Sequence, residues 1–279
     1  MITTRRIYMP LATYPEAVDD EAVLAAAGFA VSLGGTLEVT TFSVDIPRVP
    51  SPLAGLLIDI PALVQAAEDK SRSECGRLHN LIRGIGAPTA VNCSSREVLL
   101  SGLLEAAAAE ARYYDLAVLP WSQDTVSAQH LLETVVFGSG RPAILVPGSA
   151  RPPARLDHVA IAWDGSRVAA RALGDVLPLL AEGGRVTVLT VRDEKPLAGA
   201  ALAGLLAASL EKRGVKADPI EIALGDRTIA EALQEKALAE GAQILAMGGF
   251  GHSRIRDFVL GGATTGVFAD PRLPVLLSH

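Results

Sequence analysis

Cysteine is nearly missing from this 279-residue chain: Cys75 and Cys93 are the only two, and both lie in the first half. Neither has the spacing of a disulfide framework or a metal site, so a reducing compartment, the cytoplasm, is the expected setting. Aromatic residues are scarce at 4%, and charged residues make up 20% of the chain. The charge leans acidic, with a formal net value of −6, which argues against the basic face that nucleic-acid binding requires. No apolar run reaches the ~20 residues that would span a membrane. The longest covers residues 196–208 with Leu210 beyond it, and its leucines at helical spacing read as one amphipathic helix packed on a sheet. The apolar run after Arg5-Arg6 is too short and broken to be a signal core, so no membrane insertion is expected. The common catalytic signatures are missing too: no Gly-x-x-x-x-Gly-Lys-Ser/Thr, no nucleophile arranged with a base, and no paired carboxylates at one site.

What the chain does have is apolar substance, 49% of its residues. That suffices for a sizeable core and excludes disorder. Its length suits two domains near the usual size. The Pro-rich stretch Gly148-Ser-Ala-Arg-Pro-Pro-Ala154 marks a linker, dividing the chain into residues 1–149 and 155–279. Short apolar, β-branched runs alternate with helical patterns in both halves. In the first half, strands are expected at residues 6–11, 36–44, 89–94, 116–120 and 143–146, with helices at 16–33, 53–83 (broken near Pro61) and 98–112. In the second, strands are expected at 159–163, 186–191, 217–223, 244–247 and 275–277, with helices at 167–180, 197–212 and 228–240 and another through Val267 and Phe268. The halves also repeat: Leu33-Gly-Gly-Thr-Leu-Glu-Val39 matches Glu182-Gly-Gly-Arg-Val-Thr-Val188, and Phe137 with Arg141 falls where Phe268 with Arg272 does. Such alternation predicts right-handed crossovers and a doubly wound α/β architecture in each half.

The chemically informative stretch is near the end. The strand Ile244-Leu-Ala-Met247 runs into Gly248-Gly249-Phe250-Gly251-His252-Ser253, and Gly261-Gly262-Ala263-Thr264 opens the next helix. Glycines after a strand and again before a helix let backbone N–H groups close on an anion at a helix N-terminus. Gly248, two residues, Gly251, nine residues and Gly261 resemble the nucleotide-binding signature of the universal stress protein family. The closing Arg272-Leu-Pro-Val-Leu-Leu277 also resembles that family's form. The resemblance covers essentially the whole chain as a tandem. It implies an α/β fold of two tandem doubly wound domains, each a five-stranded parallel sheet in the order 3-2-1-4-5 with helices on both faces.

For the second half the resemblance implies ATP or AMP as ligand, with Mg2+ held through the phosphates. The strand end Ala162-Trp163-Asp164 would place Asp164 at the ribose and adenine, and the Val191 backbone at the adenine edge. Met247, Gly248, Gly251, His252, Gly261, Gly262, Ala263 and Thr264 would line the phosphate side. One departure stands out: Gly262 occupies the position where the family carries Ser or Thr, so that hydroxyl is lost, while Thr264 lies two residues on. Asp164 could instead serve as a helix cap or turn former. The same positions fail in the first half. Ala12 replaces Asp164, Leu119-Pro120-Trp121-Ser122-Gln123-Asp124 replaces the Gly-x-x-Gly, and Gln129-His-Leu-Leu-Glu133 fills the place of the third glycine. No nucleotide is expected there. A protein partner could use the Pro-rich residues 45–52 and the helix after them.

Three functions remain in play. The first is a stress-response regulatory protein that binds ATP or AMP in its C-terminal domain, with slow hydrolysis at most. The second is a nucleotide-free structural or interaction protein of the same fold. The third is an adenylating enzyme of the related nucleotide α-hydrolase superfamily, for which Asp164-Gly165-Ser166 is only a fragment of the needed pyrophosphate loop. A single-domain family member pairs through its last strand, so here residues 143–146 are expected to meet 275–277 within one chain as an internal pseudo-dimer. Homodimerisation of the whole chain is left open.

Overall fold

The computed structural model describes residues 4–48, 59–85, 91–122, 126–192, 202–249 and 262–279. The first half runs β1 (Arg6–Ala12), α1 (Asp20–Ser32), β2 (Thr36–Asp45), α2 (Ile60–Arg83), β3 (Val91–Leu99), α3 (Leu103–Ala111), β4 (Leu116–Trp121), α4 (Val126–Ser139) and β5 (Ala143–Pro147). The second runs β6 (His158–Ala162), α5 (Arg167–Val176), β7 (Arg185–Arg192), α6 (Leu202–Glu211), β8 (Lys216–Ala223), α7 (Ile229–Ala239), β9 (Ile244–Gly248), α8 (Gly262–Ala269) and β10 (Val275–Ser278).

The strands form one ten-stranded sheet in the order β3-β2-β1-β4-β5-β10-β9-β6-β7-β8. Each half is parallel within itself and has the expected 3-2-1-4-5 order. The two five-stranded sheets are therefore continuous, joined where β10 lies antiparallel to β5, with Val275 opposite Leu145, Leu276 opposite Ile144 and Leu277 opposite Ala143. Side chains alternate across a strand, so each strand feeds two cores. Ile7, Ile144, Val159 and Leu276 face α1, α2, α5 and α6, whereas Tyr8, Leu145, Ala160 and Val275 face α3, α4, α7 and α8. Both cores run unbroken across the seam between halves. The halves are tied further by Arg5, whose guanidinium donates to Leu33 O and to Pro178 O, each at 2.6 Å.

Element boundaries differ from the sequence expectations in ways that local chemistry explains. The first helix starts at Asp20 rather than near Glu16, because Asp19 caps it by accepting from the Glu21 and Ala22 N–H groups. Pro61 lies in the first turn of α2, where its missing N–H costs nothing. The start of the helical stretch expected before it lies outside the described residues. β3 runs on through Val98 and Leu99, and α3 follows only after a 3-10 turn at Leu100–Gly102. The helix expected over 167–180 ends at Val176, with a 3-10 turn at Leu177–Leu179 that contains Pro178. α4 had no expectation at all, since its pattern around Gln129 and His130 is broken by polar residues.

A buried histidine sits in the sheet. His158, at the start of β6, is buried, and its Nε2 lies 2.8 Å from Thr187 Oγ1. Burial is the main cause that pulls its pKa below the ordinary histidine value. The Arg185 guanidinium acts in the same direction, against the Gly241 backbone and the Glu240 and Asp218 carboxylates. The folded protein thus binds this proton less readily than the unfolded chain. Stability is full above the unfolded value of about 6.5 and declines as pH falls through the interval below it. Melting temperature measured from pH 7.5 down to 5 should drop in the wild type, and the His158→Gln variant should show a shallower drop over the same interval.

Candidate functional site

In an open parallel sheet, ligands bind at the carboxyl ends of strands where the strand order reverses. The two such crevices here lie between β1 and β4 and between β6 and β9. Register makes them comparable position by position. Ile7 pairs with Leu37 and Leu116 as Val159 pairs with Val186 and Ile244. Counting forward, Ala12 corresponds to Asp164, Pro120 to Gly248 and Trp121 to Gly249.

The first crevice is closed by packing. A residual void of about 10 Å³, roughly one water, is lined by Pro10, Ala12, Val18, Leu119, Pro120, Ala128 and Leu131. Ala128 and Leu131 come from the unanticipated α4 and occupy the space a ligand would need. Beside it the strand ends are sealed by side chains. Thr13 Oγ1 donates to Phe42 O at 2.8 Å and lies 2.6 Å from Ser71 Oγ. Ser71 Oγ accepts from Val44 N at 3.1 Å, and Glu68 Oε1 accepts from Ile46 N at 2.9 Å. The polar stripe of α2 therefore satisfies the carboxyl end of β2 from within the protein. Gln123 and Asp124 lie outside the described residues.

The second crevice is built differently. β6 ends at Ala162, and Trp163 is held by its N–H to Leu189 O (2.8 Å) and by Thr190 Oγ1, which donates to Trp163 O at 2.8 Å. Asp164 is exposed, and its Oδ1 accepts from Ser166 N at 2.8 Å across Gly165, whose φ of +77° suits glycine. Ser166, not Asp164, caps α5 by accepting from Ala169 N at 3.2 Å. One Asp164 oxygen is thus engaged in forming the turn that aims α5 at the crevice. Val191 lies near the end of β7, partly buried against the core.

Gly248 ends β9 directly beneath the first turn of α5. A Cβ there would lie 2.6 Å from the Val168 carbonyl carbon and 2.8 Å from Ala169 N, so only glycine admits this approach. Met247, one residue earlier, is buried in the opposite core. Gly249 donates to Ser278 O at 2.8 Å. Across from it, α8 opens at Gly262, which is exposed and where a Cβ would meet nothing within 4 Å. Ala263 is partly buried, and Thr264 is buried on the face shared with Val267 and Phe268. The Thr264 side chain thus belongs to the core-facing side of α8. Gly251, His252 and Gly261 lie outside the described residues.

The electrostatics favour an anion. Neither α5 nor α8 has an acidic residue in its first turn, a property shared with α2, α4 and α6, whereas α1 carries Asp20 and Glu21 there, and α7 carries Glu231 in a capping box with Thr228. Beyond Asp164, whose Oδ1 takes the Ser166 N–H, no first-turn carboxylate offsets the positive ends of these two helices. Ser278, the register partner of Gly248, is buried, and its hydroxyl has no hydrogen-bond partner among the described residues. These features fit a ligand with anionic oxygens. Among the described residues, no cluster of His, Cys, Asp and Glu could hold a metal, and no helix is long and apolar enough to cross a membrane.

Sequence reasoning missed His279 as an ordered group. It lies with Nδ1 3.3 Å from Gly249 O and its ring 5.0 Å from that of Phe137 in a T-shaped contact. The repeat aligning Phe137 with Phe268 carried the signal, but it became legible only with the antiparallel seam.

Comparisons with known proteins agree with this fold. Residues 155–279 match the model of the universal stress protein family, so the C-terminal half is a universal stress protein domain. No curated protein matches the chain. Among solved structures, a universal stress protein from Archaeoglobus fulgidus DSM 4304 is similar at 17% identity, covering 97% of this chain and 95% of that one, with a TM-score of 0.66. A protein described as a universal stress protein from Pseudomonas aeruginosa UCBPP-PA14 is similar at 12% identity, covering 99% and 93%, with a TM-score of 0.53. Both share the fold over the full chain. A universal stress protein in complex with cAMP matches 44% of this chain and 97% of that one, at 19% identity and a TM-score of 0.34.

The glycines of the second crevice should tolerate change unequally. Gly248→Ala forces backbone apart and should cost about 1–3 kcal/mol, whereas Gly262→Ala enters open space and should stay within about 0.5 kcal/mol of wild type. Chemical denaturation of the two variants checks this ordering.

Proposed function

We propose that this chain, whose C-terminal half is a universal stress protein domain, binds an adenine nucleotide, ATP or AMP, at the crevice between β6 and β9. It would act as a regulatory binding module of the stress response. The observation that carries the reading is the contrast between the crevices: one filled by α4, the other edged by a glycine that admits close backbone approach. Asp164, with Ala162 and Trp163 behind it, would meet the ribose and adenine, and the Val191 backbone would lie along the adenine edge. On the phosphate side, Gly248, Gly251, Gly261 and Gly262 would let the N–H groups of the loop and of Ala263 and Thr264 approach, with His252 nearby. Mg2+ would arrive on the phosphates. The sequence shows no nucleophile arranged with a base, so hydrolysis, where it occurs, would be slow.

A second reading, a nucleotide-free interaction protein of the same fold, draws on two observations. Asp164 Oδ1 is already used by Ser166 N, and Gly262 supplies no hydroxyl. Charge at Gly262 separates the readings. Gly262→Glu adds a carboxylate at the start of α8, which suits the helix dipole and should leave melting temperature unchanged or slightly raised. Under the nucleotide reading, calorimetric titration with ATP and Mg2+ should show binding to wild type and at least about tenfold weaker binding to Gly262→Glu, a loss of ~1.4 kcal/mol. Absence of binding to the wild type would favour the interaction protein.

A further inference from the structure

The antiparallel seam carries the last helix of each half across to the other half's carboxyl edge. Phe268 of α8 meets Trp121 at the end of β4, ring centroids 5.8 Å apart. At the corresponding place in the second half, Phe137 of α4 meets Gly249: a Cβ on Gly249 would lie 3.8 Å from the Phe137 ring atoms Cε1 and Cζ. The exchange is unequal in content. At the closed crevice two large rings fill the space, and the Trp121 indole N–H has no partner among the described residues. At the open one, the Phe137 ring stands against glycine backbone and the His279 imidazole.

Gly249 is accordingly held from three sides. Its N–H donates to Ser278 O at 2.8 Å, its carbonyl faces His279 Nδ1 at 3.3 Å, and Phe137 backs both. The end of α4 that presents Phe137 is itself anchored. Gly138 O accepts from Arg112 Nε at 3.2 Å and Nη2 at 2.9 Å, and Gly138 packs so closely on α3 that a Cβ would lie 3.2 Å from Ala108 Cβ. The ring that backs Gly249 thus comes from the first half of the chain.

We infer that Phe137 is a positioning residue for the second half's nucleotide site, and that the first half serves as a built-in partner subunit completing a cradle it lacks itself. This rests on the nucleotide reading above. Phe137 acts through His279 and the Gly249 backbone, fixing the end of β9; it touches no ligand.

The test uses the full chain and three substitutions, Phe137→Ala, His279→Ala and Trp121→Leu, each read by ATP titration and by melting temperature. Phe137→Ala and Trp121→Leu both trim the contact between halves, so both should lower the melting temperature. Only Phe137→Ala should weaken ATP binding, by about five- to tenfold, the scale of one lost aromatic contact, while Trp121→Leu should stay within about twofold. His279→Ala should weaken binding similarly, and the double variant should lose no more than the larger single effect, since the two act in series. Should Phe137→Ala fail to fold, Phe137→Leu replaces it, with a smaller loss in the same direction. Wild-type binding with Phe137→Ala within twofold of it would overturn the inference and leave the nucleotide reading standing. No ATP binding by wild type would overturn the nucleotide reading, and this inference with it.

Discussion

Val275 opposite Leu145, Leu276 opposite Ile144 and Leu277 opposite Ala143 form a short antiparallel seam, and much else depends on it. Without it there would be two five-stranded sheets, each with an apolar last strand exposed at its edge, the kind of edge that invites uncontrolled pairing. With it, β5 and β10 become central strands, fully buried on both faces. The edges of the joined sheet fall to β3 and β8, which are largely exposed and polar and carry Arg96 and Glu97, and Asp218, Pro219 and Glu221. Because the seam is antiparallel, the two crevices open toward opposite ends, and the last helix of each half lands on the other's strand ends.

From that arrangement the two halves diverge through very few residues. Ala12 and Asp164 occupy corresponding positions, as do Pro120 and Gly248, and Trp121 and Gly249. The first member of each pair adds apolar bulk or removes a polar group. Together with Ala128 and Leu131 they convert a crevice into core. Glycine at Gly248 does the reverse, admitting the first turn of α5 close to the end of β9. The same fold therefore yields one end packed with side chains and one end edged by glycine.

The architecture was legible because periodicity and punctuation agree in this chain: ten strand-like runs, Gly-Gly stops at corresponding places, and a repeat that carries the topology twice. The pairing of 143–146 with 275–277 followed from the family resemblance, whose single-domain members pair through the last strand. Less legible were places where a polar residue does structural work. α4 hid behind Gln129 and His130, α2 adds Glu68 and Ser71 to the apolar contacts of Leu78 and Ile82, and Asp164 spends one oxygen on the Ser166 N–H. Thr264 looked like a substitute hydroxyl for the phosphate side, but helical phase turns it into the core. The ring of Phe137 against His279 joins α4 to the end of β10, a contact that no local pattern encodes.

The central claim is that one chain holds one working crevice and one filled crevice. Native mass spectrometry of the purified full chain, with ATP and Mg2+ added in excess, counts them directly. The account predicts saturation at one nucleotide per chain. Two would show that the packing around Ala12 and Pro120 yields to ligand, and none at saturating ATP would show that the second crevice serves something other than a nucleotide.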